Sequence, residues 1–172
     1  MPSPQALTLI DSVNELDIPT GVVPRGAVFE NRAGFRVAHI FVFNSSGDLL
    51  LQQVGRTRQR SPYRWGSSVA TYLNAGESYA EAARRRLYEE LLLQTELRKL
   101  GSTRMHDDGA SKFIELFETK SDFAEIGEPD HIDALEFVPV PVVQDLLSSD
   151  PHRFTETFPF VFRLFQAVSG LR

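Results

Sequence analysis

Two arginines, Arg85 and Arg86, are followed closely by two glutamates, Glu89 and Glu90, and seven residues separate Arg85 from a further carboxylate, Glu77. Carboxylates grouped in this way can hold a hard cation. Mg²⁺ takes oxygen ligands, commonly one or two carboxylates with the remaining positions filled by water or substrate phosphate. A cation so held would neutralise a phosphate and orient or activate an attacking water. Whether these residues can act together depends on the element that carries them.

That element reads as a helix. Ser78 suits the N-cap, and Glu81 three residues later completes a capping box. The stretch from Tyr79 to about Leu93 is rich in Ala, Leu, Arg and Glu, all good helix formers. On a wheel of about 100° per residue, Ala80, Ala83, Leu87 and Leu91 form the core-facing stripe. Glu90 falls at its edge, with Arg86 and Glu89 on the flank beyond. Arg85 with Glu89, and Arg86 with Glu90, are neighbours one turn apart. As surface ion pairs they would contribute only a few tenths of a kcal/mol each. Glu90 demands more, because a carboxylate beside an apolar stripe is partly desolvated and needs a cation or a metal.

The elements around this helix have alternating strand-like and turn-like composition. Residues 7–10 and 21–23 read as a strand and its return, and residues 37–43 as a nearly continuous apolar strand. The turn at 44–48 leads into a returning strand at 49–53, and residues 65–73 are short-strand material ending at Asn74-Ala75-Gly76. Beyond the helix, 112–119 and 135–140 read as strands, with helices at 141–147 and 155–168. The expected class is α/β (α+β), a mixed β-sheet sandwiched between helices, in one domain spanning 1–172 with an N-terminal hairpin over 1–30.

The stretch from Gly76-Glu77-Ser78 to Glu89-Glu90 resembles the Nudix box, whose pattern is Gly, five residues, Glu, seven residues, then Arg-Glu-aliphatic-x-Glu-Glu-x-Gly-aliphatic. Glu77, Arg85, Leu87, Glu89, Glu90 and Leu93 match it across residues 71–93. The resemblance implies a Nudix fold and Mg²⁺ (or Mn²⁺) held by Glu89 and Glu90, which are thereby the candidate catalytic residues. It also implies a structural salt bridge between Glu77 and Arg85. Three positions depart from the pattern: Thr71 and Leu92 replace glycines, and Arg86 replaces a metal-binding glutamate. Leu92 disfavours the left-handed conformation that ends the helix in relatives, so a longer or differently ended helix is expected. Arg86 changes the local formal charge from about −3 to about −1 and, as a permanent cation, should pair with Glu90 and weaken metal binding.

A narrower resemblance, carried by residues 65–72 running into Gly76-Glu77-Ser78, is to type 1 isopentenyl diphosphate isomerases, which share the Arg85-Arg86 pair. Their cysteine acid/base and a metal-binding histidine would fall at Ala70 and Tyr72, which cannot serve in those roles. The resemblance therefore implies a related pocket with different chemistry.

Arg56, Arg58, Arg60 and Arg64 form a basic loop able to clamp a diphosphate, since guanidinium forks suit phosphate oxygens. Arg64 and Arg56 are the candidate substrate-binding residues. Glu115 and Glu118 lie on opposite faces of their strand, and either could supply a replacement base. Asp107-Asp108-Gly109 reads as a turn. The histidines show no metal-ligand spacing, and the phenylalanines from Phe154 to Phe165 read as core.

Composition narrows the remaining classes. Cysteine is absent, which excludes a disulfide framework, a thiolate metal site and a cysteine nucleophile. The net charge of −5 argues against a nucleic acid polymer or an anionic membrane as partner. No apolar run is long enough to span a bilayer, and the N-terminus lacks a secretory pattern, so a cytoplasmic protein is expected. The reading that results is a Nudix-type hydrolase of a nucleoside diphosphate derivative or other organic diphosphate, possible also as a homodimer. A catalytically weakened ligand- or protein-binding module is the alternative, and an isomerase-like enzyme a more distant one. All of this requires Glu89 and Glu90 to open onto a cleft that receives phosphate oxygens.

Overall fold

A computed structural model describes residues 4–170. A two-stranded hairpin, β1 (Leu9–Val13) and β2 (Pro19–Pro24), stands beside a seven-stranded sheet. That sheet contains β3 (Phe35–Phe43), β4 (Leu49–Val54), β5 (Trp65–Gly66), β6 (Val69–Tyr72), β7 (Arg98–Asp107), β8 (Ala110–Lys120) and β9 (Ile132–Val138). The central order is β5-β4-β3-β8-β7, with β6 paired to β3 and β9 to β4. The β3–β8 pair is parallel and the others are antiparallel, so the sheet is mixed as expected.

Helices cover both faces. Alternation along β3 sends Ala38, Ile40 and Val42 towards helix α1 (Tyr79–Leu91), where they meet Ala82, Ala83, Leu87 and Leu91. The other face carries Phe35, Val37 and Phe41 against Phe158, Val161, Phe162 and Phe165 of α3 (Phe158–Ser169). A shorter helix, α2 (Val140–Ser149), buries Val143 in the same cluster. Of the five phenylalanines expected in the core, Phe160 alone is left partly exposed.

Two features of the sheet position the site. First, β3 and β4 share only the Phe43–Leu49 pair before they diverge, β3 going on to β6 and β4 to β9. Ser68 fills the split: its hydroxyl accepts from the Val42 N–H (2.8 Å) and donates to the Leu50 carbonyl (2.6 Å). Buried backbone groups that lose ladder partners are thus satisfied. Gln52 lies beside this split. Second, β7 is a ten-residue strand that the sequence did not announce, its residues alternating without the apolar run of β3. It joins β8 through the expected turn, in which Asp108 (φ 48°) and Gly109 (φ 83°) both take left-handed values, as a two-residue hairpin requires.

The hairpin β1–β2 is stitched to the start of α1. Asp11 accepts from the Gly76 N–H (3.0 Å), and the Ala75 N–H donates to the Leu9 carbonyl (2.9 Å). At its tip Asp17 receives the Arg36 Nε (2.7 Å) and the Tyr79 hydroxyl (2.9 Å).

Candidate functional site

Helix α1 begins as its sequence dictates. Ser78 caps it, accepting from the Glu81 N–H, while Glu81 accepts from the Ser78 N–H (2.8 Å). Its end corrects an expectation. The helix stops at Leu91, and Leu92 does adopt the left-handed conformation (φ 55°, ψ 27°), donating to the Tyr88 carbonyl. The cost, about 1–2 kcal/mol for a residue with a Cβ, is met by contacts that end the helix here. The Glu125 N–H reaches the Leu91 carbonyl (3.4 Å) and the Gly127 N–H the Glu90 carbonyl (2.8 Å). Orphan helix-end carbonyls thus receive donors from the loop after β8. A side chain at Gly127 would collide with the Glu89 carbonyl, so glycine is required for the loop to approach so closely. That approach brings Glu128 to the flank of α1.

Three carboxylates meet there around one guanidinium. Arg86 Nη2 lies 2.6 Å from Glu90 and 2.7 Å from Glu128 Oε2, and Nη1 lies 2.8 Å from Glu128 Oε1 and 3.0 Å from Glu89. Of the two contacts with Glu128, only that from Nη1 to Oε1 is a directed hydrogen bond; the one from Nη2 to Oε2 is a close ion pair. Glu90 is buried, its side chain only 6% exposed, and also accepts from Gln52 Nε2 (2.9 Å). Burial pushes the Glu90 carboxyl above its ordinary range, with Arg86 and Gln52 opposing the rise. Burial alone would lower Arg86; Glu90, Glu128 and Glu89 outweigh it and raise it. Burial would likewise raise Glu128, yet Arg86 and His131 hold it below the usual range.

Glu128 Oε2 is buried and receives no well-directed hydrogen bond, although Arg86 and His131 Nδ1 (2.5 Å) lie against it. His131 Nδ1 is also 3.2 Å from Arg86 Nη2, so it either accepts from Arg86 or donates to Glu128. Among the described residues no three carboxylate or imidazole groups surround an open metal position. The guanidinium stands between those that would.

The neighbouring arginine does different work. Arg85 binds Glu77 through Nε (2.6 Å) and Nη2 (2.9 Å), tying the loop before α1 to the helix. Burial would raise Glu77, but Arg85 and the Asn74 N–H hold it below its ordinary value. A weaker contact runs from Arg85 to Glu89 (3.3 Å). Glu89 also lines a groove of about 810 Å³ between α1 and residues 93–97. The two glutamates therefore do not share an opening: Glu89 faces the groove edge and Glu90 turns inward under Arg86.

A basic array adjoins Arg86. Arg25 is partly buried and lies over the Tyr72 ring, 4.0 Å from its centroid, and Tyr72 is stacked in turn on Phe35. Arg25 has no carboxylate partner among the described residues. Burial lowers its proton affinity, Tyr72 opposes this, and the nearby charges of Arg58 and Arg86 lower it further. Arg58 donates to Gln5 (2.8 Å), whose amide lies 3.3 Å from His131 Nε2. The arginine loop is laid against residues 130–131 by the Gly55 N–H to the His131 carbonyl (2.8 Å) and by the Thr57 hydroxyl to the Asp130 carbonyl (3.0 Å). Ala70 and Tyr72 lie on β6 at the edge of this array, with Ala70 exposed.

Sequence reasoning chose differently among the arginines. Arg56 is 70% exposed and pairs with Asp133 at 3.5 Å, and Arg64 has no ion pair among the described residues. Among the described residues neither contacts Arg86, whereas Arg58 is linked to it through Gln5 and His131, and Arg25 is near enough to feel its charge. Arg60 is used elsewhere, on Asp107. Glu115 and Glu118 pair with Lys99 (2.5 Å) and Arg98, away from Arg86. The residues missed were Gln5, Arg25, Glu128 and His131. The one local signal for them was Gly127 before Glu128 in a polar loop.

A family model for the NUDIX domain matches residues 34–158. An isopentenyl-diphosphate Delta-isomerase of Pectobacterium atrosepticum is 29% identical over 91% of this chain and 90% of its own length. A Nudix hydrolase of Deinococcus radiodurans is 30% identical over 75% and 77% respectively. A crystal structure of the D. radiodurans protein DR0079 superposes with a TM-score of 0.78 at 24% identity, covering 90% of this chain and 97% of that one. With the box helix, its Glu77–Arg85 tie and the helix-covered mixed sheet all in place, the chain belongs to the Nudix family.

Proposed function

We propose that this protein hydrolyses an organic diphosphate, such as a nucleoside diphosphate derivative, with a divalent cation. The carrying observation is that Glu89, Glu90 and Glu128 all contact the one guanidinium of Arg86 at the flank of α1. Their oxygens are the donors that Mg²⁺ or Mn²⁺ prefers, and the unsatisfied lone pair of buried Glu128 Oε2 fits an ion better than it fits Arg86. The chemistry such an ion supplies is charge neutralisation on the diphosphate and a lowered pKa for a bound water.

The chain's own residues supply the rest. Arg25 and Arg58, with Arg86, present guanidinium donors to the phosphate oxygens, and the lack of a carboxylate on Arg25 leaves its charge available. Glu128, held ionised by its surroundings and close to His131, is placed to accept a proton from the attacking water. Gln52 fixes the Glu90 carboxylate, and Arg85 with Glu77 fixes the helix that carries it. The competing reading, a binding module without turnover, is favoured by the 2.6 Å contact that now closes Arg86 over Glu90.

The test is phosphate release from a panel of nucleoside and isoprenoid diphosphates with Mg²⁺ or Mn²⁺, comparing wild type with Glu90→Gln and Glu128→Gln. Turnover in the wild type that falls at least about a hundred-fold in either variant supports hydrolysis, the scale of losing a general base. Binding of diphosphates without turnover on any of them would establish the module instead. An isomerase reading predicts activity without phosphate release, and Ala70 and Tyr72 offer neither its acid nor its metal ligand.

A further inference from the structure

Arg86 is the only cation touching Glu90 among the described residues, and it also holds Glu128 and Glu89. A metal ion cannot share those oxygens with it, since like charges would then meet at van der Waals distance in a partly buried place. On its other side Arg86 is close enough to Arg25 to be felt there, and Gln5 and His131 connect it to Arg58. Arg86 thus stands between a carboxylate cluster that is short of cations and an arginine array that is short of anions.

We propose that Arg86 is an exchangeable counter-ion, which makes the binding of metal and of diphosphate mutually dependent. Without ligand it pairs with Glu90, Glu89 and Glu128 and keeps a metal out. A diphosphate drawn to Arg25 and Arg58 offers its guanidinium a second set of oxygens. When Arg86 turns to them, Glu90 is left without a cation, Glu89 keeps only the weaker contact with Arg85 and Glu128 only His131, and metal affinity rises. Linkage requires the converse: metal on the carboxylates must strengthen diphosphate binding by the same factor. This inference rests on the proposed site but not on turnover, so a pure binding module would show it too. Arg86 acts here as a positioning residue, through the carboxylates it covers.

The experiment titrates the full chain with Mn²⁺, following the free ion by its paramagnetic resonance signal, with and without saturating imidodiphosphate, which resists hydrolysis at its bridge. Wild type should bind Mn²⁺ weakly alone and some 5- to 150-fold more tightly with the analogue, the usual span of such coupling. Arg86→Gln should bind Mn²⁺ more tightly than wild type in the absence of analogue, and should lose most of the enhancement. Because Mn²⁺ also pairs with imidodiphosphate in solution, the difference between the two proteins is the quantity read. Should Arg86→Gln fail to fold, Arg86→Lys, which keeps the charge and loses the fork, should show a reduced enhancement. Equal Mn²⁺ affinity in wild type and variants, equal enhancement in both, or no Mn²⁺ bound by either would each overturn the proposal. Turnover without coupling would overturn it while leaving the hydrolase reading intact.

Discussion

Among the described residues, two partly buried clusters of charge are built on opposite principles. At the β7–β8 hairpin, Asp107 receives Arg60 on one oxygen (2.8 Å) and Lys112 on the other (2.8 Å), and Lys112 donates also to the Thr157 hydroxyl (2.8 Å). Burial would raise Asp107, yet the two cations hold it below its ordinary value; burial lowers Lys112, and Asp107 opposes this. Every charged atom there has a partner. At the flank of α1, one guanidinium serves three carboxylates, and a buried oxygen of Glu128 is left without a directed bond. A closed network fixes a hairpin. An open one, with surplus negative charge and strained satisfaction, keeps a place for something not in the chain.

Removing one cation from each cluster should separate these roles most sharply. Arg86→Gln should destabilise the fold by about 3–5 kcal/mol in urea unfolding, the cost of leaving the buried Glu90 uncompensated, and Lys112→Met should cost less because Arg60 still pairs with Asp107. The sharper difference lies in the rescue. Mn²⁺ at about a hundred times its dissociation constant should return about 2.7 kcal/mol to Arg86→Gln, because the ion binds the folded state alone. It should return nothing to Lys112→Met. Rescue of both variants, or of neither, would erase the distinction between the clusters.

The two regions should also answer pH with opposite sign. His39 is buried near Lys112, donating to or accepting from Ser67 (2.8 Å), and burial, aided by Lys112, pulls its pKa down to about 3. The unfolded chain binds the proton from about pH 6.5 downwards while the folded chain does not. Its contribution is therefore complete above pH 6.5 and is lost as pH falls towards 3, at up to about 1.4 kcal/mol per unit. Glu90 works the other way. Its folded pKa is raised, so the folded state holds the proton longer, and stability falls as pH rises from the unfolded value through the folded one. Unfolding free energies of His39→Gln between pH 4 and 7 should show a flatter acid limb than wild type. An unchanged limb would mean that His39 is not neutral in the fold.

The legibility of the two clusters in the sequence differs for a physical reason. Glu77, Arg85, Arg86, Glu89 and Glu90 lie within one capped helix and its entry loop, so local spacing orders them and their pairing can be read directly. Helical periodicity likewise placed Glu90 at the edge of the apolar stripe, where it is found buried. The partners that arrive from elsewhere leave no such trace. Glu128 is brought by a loop clamped to the end of α1, Arg25 follows the hairpin, and Gln5 comes from the N-terminal turn. Composition alone could not sort Arg56 and Arg64 from the other loop arginines, because which backbone the loop lies against decides which of them approaches Arg86. Here Gly55 and Thr57 bind residues 130–131, and Arg58, not Arg56, reaches Gln5 beside His131. The strand β7 escaped notice because its pairing with β8, a tertiary property, decides its conformation more than its composition does.

The smallest effect tests how the open cluster is held in place. Leu92 occupies a left-handed position where glycine would be unstrained, and its side chain is about half exposed. Leu92→Gly should relieve about 1 kcal/mol of backbone strain or slightly more. Greater freedom of the unfolded chain would offset about 0.4–1 kcal/mol of that gain. Thermal unfolding should then show a net stabilisation of no more than about 1 kcal/mol, with the Mn²⁺ response of the Arg86 cluster unchanged. A loss of stability would mean that the contact of Leu92 with Gly127 outweighs the strain, and that this leucine, rather than the hydrogen bonds of residues 125 and 127 to the helix end, holds Glu128 against Arg86.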